Sequence, residues 1–186
     1  IRNAEPDFIG ETAGKPGKDV LPNDLFFNRQ WGLSNSGQLR TTTGKSGKKG
    51  ADMNVLKGWE IETGSDDIII AILDSGVKLD HPDLYGRIWI NKNESKNGKD
   101  DDANGYIDDI YGYNFAYDNS NVRDDLGHGT NITGTIGAST NNVIGYAGID
   151  QNSRLMICKN ISYENSGEYS WWAESIIYAV NNGAMI

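Results

Sequence analysis

Two segments of this 186-residue chain carry side chains suited to proton transfer. In LDSGVKLDHPDL, at 73–84, a carboxylate, Asp74, stands where an apolar run breaks into a glycine turn. In DDLGHGTNITGTIGA, at 124–138, His128 sits between glycines at the start of an expected helix. A hydroxyl nucleophile is weak near neutrality and needs a general base. A basic imidazole in turn needs a carboxylate to fix its tautomer and stabilise its protonated form. Asp74 and His128 fit these two roles. Taken singly, Asp74 reads as a turn-capping residue before Ser75-Gly76, and His128 as a helix N-terminal residue with no chemical duty. It is the pair that points to catalysis.

A third segment has the chemistry of a hard cation. Asp100, Asp102, Asn104, Gly105, Tyr106, Ile107 and Asp108 follow the order D-x-D-x-N-G-x-I-D, the opening of an EF-hand calcium loop. Oxygen ligands recur at alternate positions, a glycine lets the backbone wrap the ion, and the carbonyl of Tyr106 adds a further ligand. Tyr111 occupies the position where a glutamate closes an EF-hand, and no amphipathic helices flank the loop. An EF-hand is therefore excluded; a calcium loop inserted in another fold, or a solvated acidic turn, remains.

These groups need a scaffold. The β-branched run Ile68 to Leu73 predicts a strand buried on both faces, and its end lies where parallel α/β sheets keep their reacting groups. Asp52 can cap a helix from Met53 to about Glu62, with Val55, Leu56 and Trp59 inward and Gly64 as the stop. GYNFA at 112–116 and Leu155 to Lys159 read as short strands. His128 to Ala138 reads as a helix of small residues, whose Gly134 and Gly137 need close packing to be tolerated. Ser170 can cap a further helix with Trp172, Ile176, Ile177 and Val180 on its apolar face and Gly183 closing it; Ala184 begins another strand. The alternation predicts an α/β fold, a doubly wound, mostly parallel sheet with helices on both faces.

The 17 basic and 26 acidic residues give a net charge of −9, which argues against a nucleic-acid footprint and against attraction to anionic membranes. No stretch approaches a membrane span, and the amino terminus lacks the charged-then-apolar pattern of a signal peptide. The single cysteine, Cys158, excludes an internal disulfide framework, and its apolar surroundings mark it as a buried structural thiol. The first residue, Ile1, points to a trimmed chain.

LDSG followed by HPDL, and GHGT followed by GT, resemble the Asp and His signatures of the subtilisin-like serine proteases, the subtilases. The resemblance runs from PNDLFFNRQWGL at residue 22, similar to the opening of thermitase-like catalytic domains, through NNVIGYAGI at 141–149 and SGEYSWWAESIIYAVNNG at 166–183. It implies a serine endopeptidase acting on polypeptide substrates, with Asp74 and His128 as triad members. It further implies a secreted or secretory-compartment protein made as a zymogen. Residues 1–21 would then be the end of an inhibitory propeptide and its linker, the propeptide being the enzyme's own inhibitor, and 22–186 the amino-terminal part of the catalytic domain.

The GTSMA-like segment that carries the family's nucleophile has no match here, nor has the asparagine of its oxyanion hole, so the expectation is a chain inactive by itself. A catalytically inactive subtilase-fold binding or regulatory module is the alternative; a calcium-binding adhesion domain leaves the Asp74 and His128 motifs unexplained. Asn131 stands where the family writes a second histidine, HGTH, which leaves the base intact. Ser166, Gly167 and Glu168 match the family's edge segment that pairs with substrate backbone, and Glu168 there would favour basic or polar substrate residues. A second calcium site is implied at Asp24, Asp83, Asn142 and the carbonyls of Ile144 and Tyr146, with one extra residue near Ser139. A further thermitase-like site is not expected, because Asn114 replaces the relatives' aspartate.

Overall fold

A computed structural model describes residues 21–38 and 44–186. The expected propeptide end thus lies, but for Leu21, outside the described residues. After one 3-10 turn at Phe27–Arg29 the elements run α1 (Val55–Trp59), β1 (Ile69–Asp74), β2 (Gly112–Asn114), α2 (His128–Gly137), β3 (Arg154–Lys159) and α3 (Tyr169–Asn181). The strands form a parallel sheet in the order β1-β3-β2. β3 is therefore central although it comes last in the chain, and its Leu155, Met156, Ile157 and Cys158 are all fully buried.

The side-chain alternation of β1 sorts the core into two layers. Ile70 and Ile72 face one way and join Leu155, Ile157, Leu84, Val77 and Val122, with Ile136 of α2 packed against them. Ile69, Ala71 and Leu73 face the other way, onto Met156, Cys158, Tyr113, Phe115 and the Tyr178 and Ala179 of α3. A helix covers each face, as in a doubly wound sheet. A third cluster, Phe27, Leu33, Val55 and Ala147, anchors the amino-terminal segment, and the Trp59 indole N–H donates to the Ile149 carbonyl at 2.7 Å.

Several local expectations change. Asp52 does not cap α1: its carboxylate accepts from the backbone N–H groups of Asn54 and Asn35, and Asn54, with φ 54°, delays the helix to Val55. Ser170 does not cap α3, which starts at Tyr169 after an extended Glu168. α3 turns Ser175, Tyr178 and Ala179 inward, leaving Trp172, Ile176, Ile177 and Val180 exposed. The large Tyr178 side chain, 1% exposed, fills that face between the small Ser175 and Ala179. In α2, Gly137 packs against Leu155, where a Cβ would come within 2.9 Å, whereas Gly134 faces open space.

Ala184 to Ile186 form no regular strand. They do lie along the free edge of β1, the Met185 N–H donating to the Ile69 carbonyl at 2.9 Å and the Ala71 N–H to the Ile186 carbonyl at 2.8 Å. Because β3 is covered on both faces, Ile157→Ala should lower the unfolding free energy by about 2–5 kcal/mol. Urea denaturation checks this; a change below about 1 kcal/mol would show that the centre of the sheet is loosely packed.

Candidate active site

Asp74 is the last residue of β1, and His128 the first of α2. The intervening turn brings them together. Gly76, with φ 106°, lets the chain leave the strand sharply. Gly129 then lies so close that a Cβ on it would be 2.2 Å from the Gly76 carbonyl oxygen, so only glycine admits the first turn of α2 to this position. The His128 Nδ1 lies 2.8 Å and 3.0 Å from the two carboxylate oxygens of Asp74. The Asp74 side chain is 10% exposed and the imidazole 64%. Asp74 also accepts from the Ser75 N–H at 2.7 Å, which limits its freedom to turn away.

Asp124 supports the pair from the preceding loop. Its carboxylate accepts from the Ser75 hydroxyl at 2.8 Å, from the Leu126 and Gly127 N–H groups, and from both the N–H and hydroxyl of Thr130. The Ser75 hydroxyl oxygen accepts in turn from the Gly129 N–H at 2.9 Å. Burial opposes the ionised form of Asp124, but the hydrogen bonds from Thr130, Ser75 and Leu126 outweigh it and hold the carboxyl down at about 2. Asp124 thereby satisfies N–H groups at the start of α2, where a negative charge is favoured. Asp124 and Ser75 were not singled out from the sequence; the Asp124-Asp125 pair just before GHGT was their only signal.

With Nδ1–H committed to Asp74, Nε2 is the nitrogen left to accept a proton. The hydrogen bond to Asp74, and then its charge, raise the His128 pKa above the ordinary histidine value. The ion pair's contribution to stability is therefore fully present below the histidine pKa of the unfolded chain. It is lost as the pH rises through the folded value.

The expected substrate edge lies beyond the end of β3. Ser166, Gly167 and Glu168 are all exposed. The Ser166 carbonyl accepts from the Ser162 N–H and the two serine hydroxyls are 2.9 Å apart, forming a turn that delivers Gly167 and the extended Glu168 to α3. The Trp172 indole packs over Gly167, where a Cβ would be 2.7 Å away.

In the acidic loop the structure redistributes the expected ligands. Asp100 accepts from the N–H groups of Asn104 and Gly105, Asn104 from Tyr106, and Asp108 from Asn97 and Gly98, so these side chains shape the loop's own backbone. Asp102 likewise accepts from the Asn104 N–H, and it also meets Glu94 and Asp109, with one oxygen from each lying within 4.8 Å of the others. Glu94 and Asp109 were missed. Glu94 lies outside the motif, and Asp109 falls out of its alternation beside the expected Asp108. Three gathered carboxylates suit a hard cation, and Asp109, fully buried, has only neutral donors in Asn91, Asn104 and Tyr178.

At the second expected site the structure shows hydrogen bonds among the named residues, with N–H groups of Tyr146 and Ile144 in place of the expected carbonyls. Asp24 and Asp83 are both buried. Asn142 donates to Asp83 at 2.8 Å, the Tyr146 N–H reaches Asp83, the Asn141 N–H reaches Asp24, and the Ile144 N–H donates to the Asn142 side-chain oxygen. Asp24 Oδ1 and Thr140 Oγ1 are buried without a hydrogen-bond partner, a deficit that a cation at Asp24 would relieve.

The architecture is that of parallel α/β proteins whose reacting groups project beyond the carboxyl ends of the strands. The model of the subtilase family matches residues 65–186, and the chain belongs to that family. Subtilisin-like protease 1 of Plasmodium falciparum (isolate 3D7) is 36% identical over 172 residues, covering 91% of this chain and 23% of its own length. The thermophilic serine proteinase of Bacillus sp. (strain AK1) is 32% identical over 128 residues, 69% of this chain and 27% of its own. The chain thus spans about a quarter of the length of the curated relatives it matches. Among solved structures, a protease of Pseudoalteromonas arctica superposes with a TM-score of 0.57 at 25% identity, over 89% of this chain and 45% of that one. The Aeromonas sobria serine protease, solved with a chaperone, gives 0.62 at 22%, over 83% and 23%, and supports the fold alone.

Asp74→Asn should shift the titration of His128 to lower pH, because both the hydrogen bond to an ionised acceptor and its charge are lost. Imidazole proton NMR can follow this, since His81 is the only other histidine. An unmoved titration would show that Asp74 does not govern the imidazole.

Proposed function

We propose that this chain supplies the acid-base half of a calcium-stabilised serine endopeptidase that hydrolyses polypeptide substrates. The observation that carries the reading is the His128–Asp74 contact at 2.8 Å with Nε2 left free. In the reaction, Nε2 takes the proton of a serine hydroxyl as the hydroxyl attacks the scissile carbonyl, and later returns it to the leaving amine. Asp74 holds the tautomer and stabilises the imidazolium. The serine and its oxyanion donors come from sequence outside residues 1–186, so this chain by itself forms no acyl-enzyme.

Extended substrate pairs with the Ser166–Glu168 segment through main-chain bonds, and the Glu168 carboxylate favours basic or polar side chains nearby. The enzyme's own propeptide occupies the same cleft as inhibitor until maturation, and the protein works in a secretory or extracellular compartment. Among the described residues no helix is long and apolar enough to cross a membrane.

Calcium supplies positive charge to two carboxylate groups and ties their loops to the folded state. Asp102, with Glu94 and Asp109, holds one ion, the backbone around it shaped by Asp100, Asn104, Tyr106 and Asp108. Asp24, Asp83 and Asn142, with the carbonyls of Ile144 and Tyr146, hold the other.

A fluorophosphonate probe tests the catalytic reading. The full-length enzyme should label, His128→Ala should abolish labelling, and residues 1–186 should not label. Labelling that survives His128→Ala would show that His128 is not the base. For calcium, Asp102→Ala in the full-length enzyme should lower the melting temperature in calcium and shrink the loss caused by EGTA. The same response to EGTA as wild type would exclude the acidic loop as a site.

A further inference from the structure

Lys159, the last residue of β3, is 1% exposed. Its Nζ donates to the Ser75 carbonyl at 3.0 Å, to the Arg123 carbonyl at 2.8 Å and to the Asp125 carboxylate at 2.5 Å. A lysine ammonium has three donors, and all three are used. The partners come from the two segments that meet at the imidazole. Ser75 follows Asp74 directly, while Arg123 and Asp125 lie in the loop that feeds α2. On the backbone side Lys159 pairs in register with Asp74, and the next N–H, of Asn160, donates to the Asp74 carbonyl at 2.9 Å.

Stability alone does not account for a lysine here. Removing an ammonium from water is costly, and a well-packed apolar residue at such a position is often as stable or more so. What the lysine adds is geometry, by fixing the separation of two loops. Asp124 and Ser75 join the same two segments, so Lys159 supplies a second, independent tie between them.

We propose that Lys159 is a positioning residue, which clamps the turn after Asp74 to the 123–127 loop and so keeps the His128 imidazole seated on the Asp74 carboxylate. The inference rests on the proposed use of Asp74 and His128. Lys159 acts through the backbone of Ser75 and Arg123; the charged groups acting on the ring are Asp74, from β1, and Asp124, from the loop before α2.

The test is the titration of His128 by NMR, alongside kcat and KM of the full-length enzyme. In Lys159→Met the titration of His128 should move to lower pH. In the full-length enzyme kcat should fall about 10- to 100-fold with KM within about twofold, as expected for a misplaced catalytic group. Lys159→Arg should recover part of both effects. Asp125→Ala removes one tie and leaves both carbonyl bonds, so it should shift the titration in the same direction by less. It also decides the matter by itself if Lys159→Met does not fold. A lower melting temperature with an unshifted His128 in both variants would make the clamp merely structural and overturn the proposal. If the full-length protein proves not to be a protease, the NMR titration still tests the clamp, so the two failures are distinguishable.

Discussion

The parallel ladder between β1 and β3 is the constraint on which the site depends. Its register runs from Ile69 opposite Arg154 to Asp74 opposite Lys159. A slip of one residue would exchange the two sets of side chains between the faces of the sheet, sending Ile70 and Ile72 towards α3 and Ile69, Ala71 and Leu73 towards α2. It would also turn Asp74 from the imidazole. Since each face is covered by a helix, apolar packing specifies the register, and with it the place of the carboxylate. The hydrophobic core thus determines the geometry of the site.

Around that ladder, glycines and buried polar groups close the remaining distances. Gly129 permits the first turn of α2 to rest on the Gly76 carbonyl, and Asp124 holds that turn by satisfying N–H groups that would otherwise lack partners. On the opposite face, the Tyr178 hydroxyl donates to Asp109 at 2.6 Å, and Tyr106 stacks edge-on against both Tyr113 and Tyr178. The acidic loop is therefore wired into the core beside α3 rather than hanging from the surface. A cation bound to Asp109 and its neighbours would stabilise the helix that follows the Ser166–Glu168 segment.

The readable part of the sequence was the part encoded locally. The β-branched run before Asp74 and the apolar run ending at Lys159 located two strands to within about a residue, and GHGT located the start of α2. α3 was found but its inward face was not. Apolar residues lie on more than one side of the helix, so periodicity does not decide, and the inward face is set by Tyr178, with Ser175 and Ala179 beside it. The motif reading found the acidic loop but not Glu94 or Asp109, since the first reaches the cluster from outside the motif and the second breaks its alternation. In the sequence Lys159 is only the end of an apolar strand, because its partners lie in loops distant in sequence.

We propose that His128, its pKa raised by Asp74, is the base that activates a serine hydroxyl. The pH dependence of kcat/KM for peptide hydrolysis by the full-length enzyme tests it most directly, since that profile reports the essential groups of the free enzyme. Activity should be lost on the acid side through one group, titrating above the ordinary histidine value of about 6.5. An acid limb in the carboxylate range, near about 4, would contradict it.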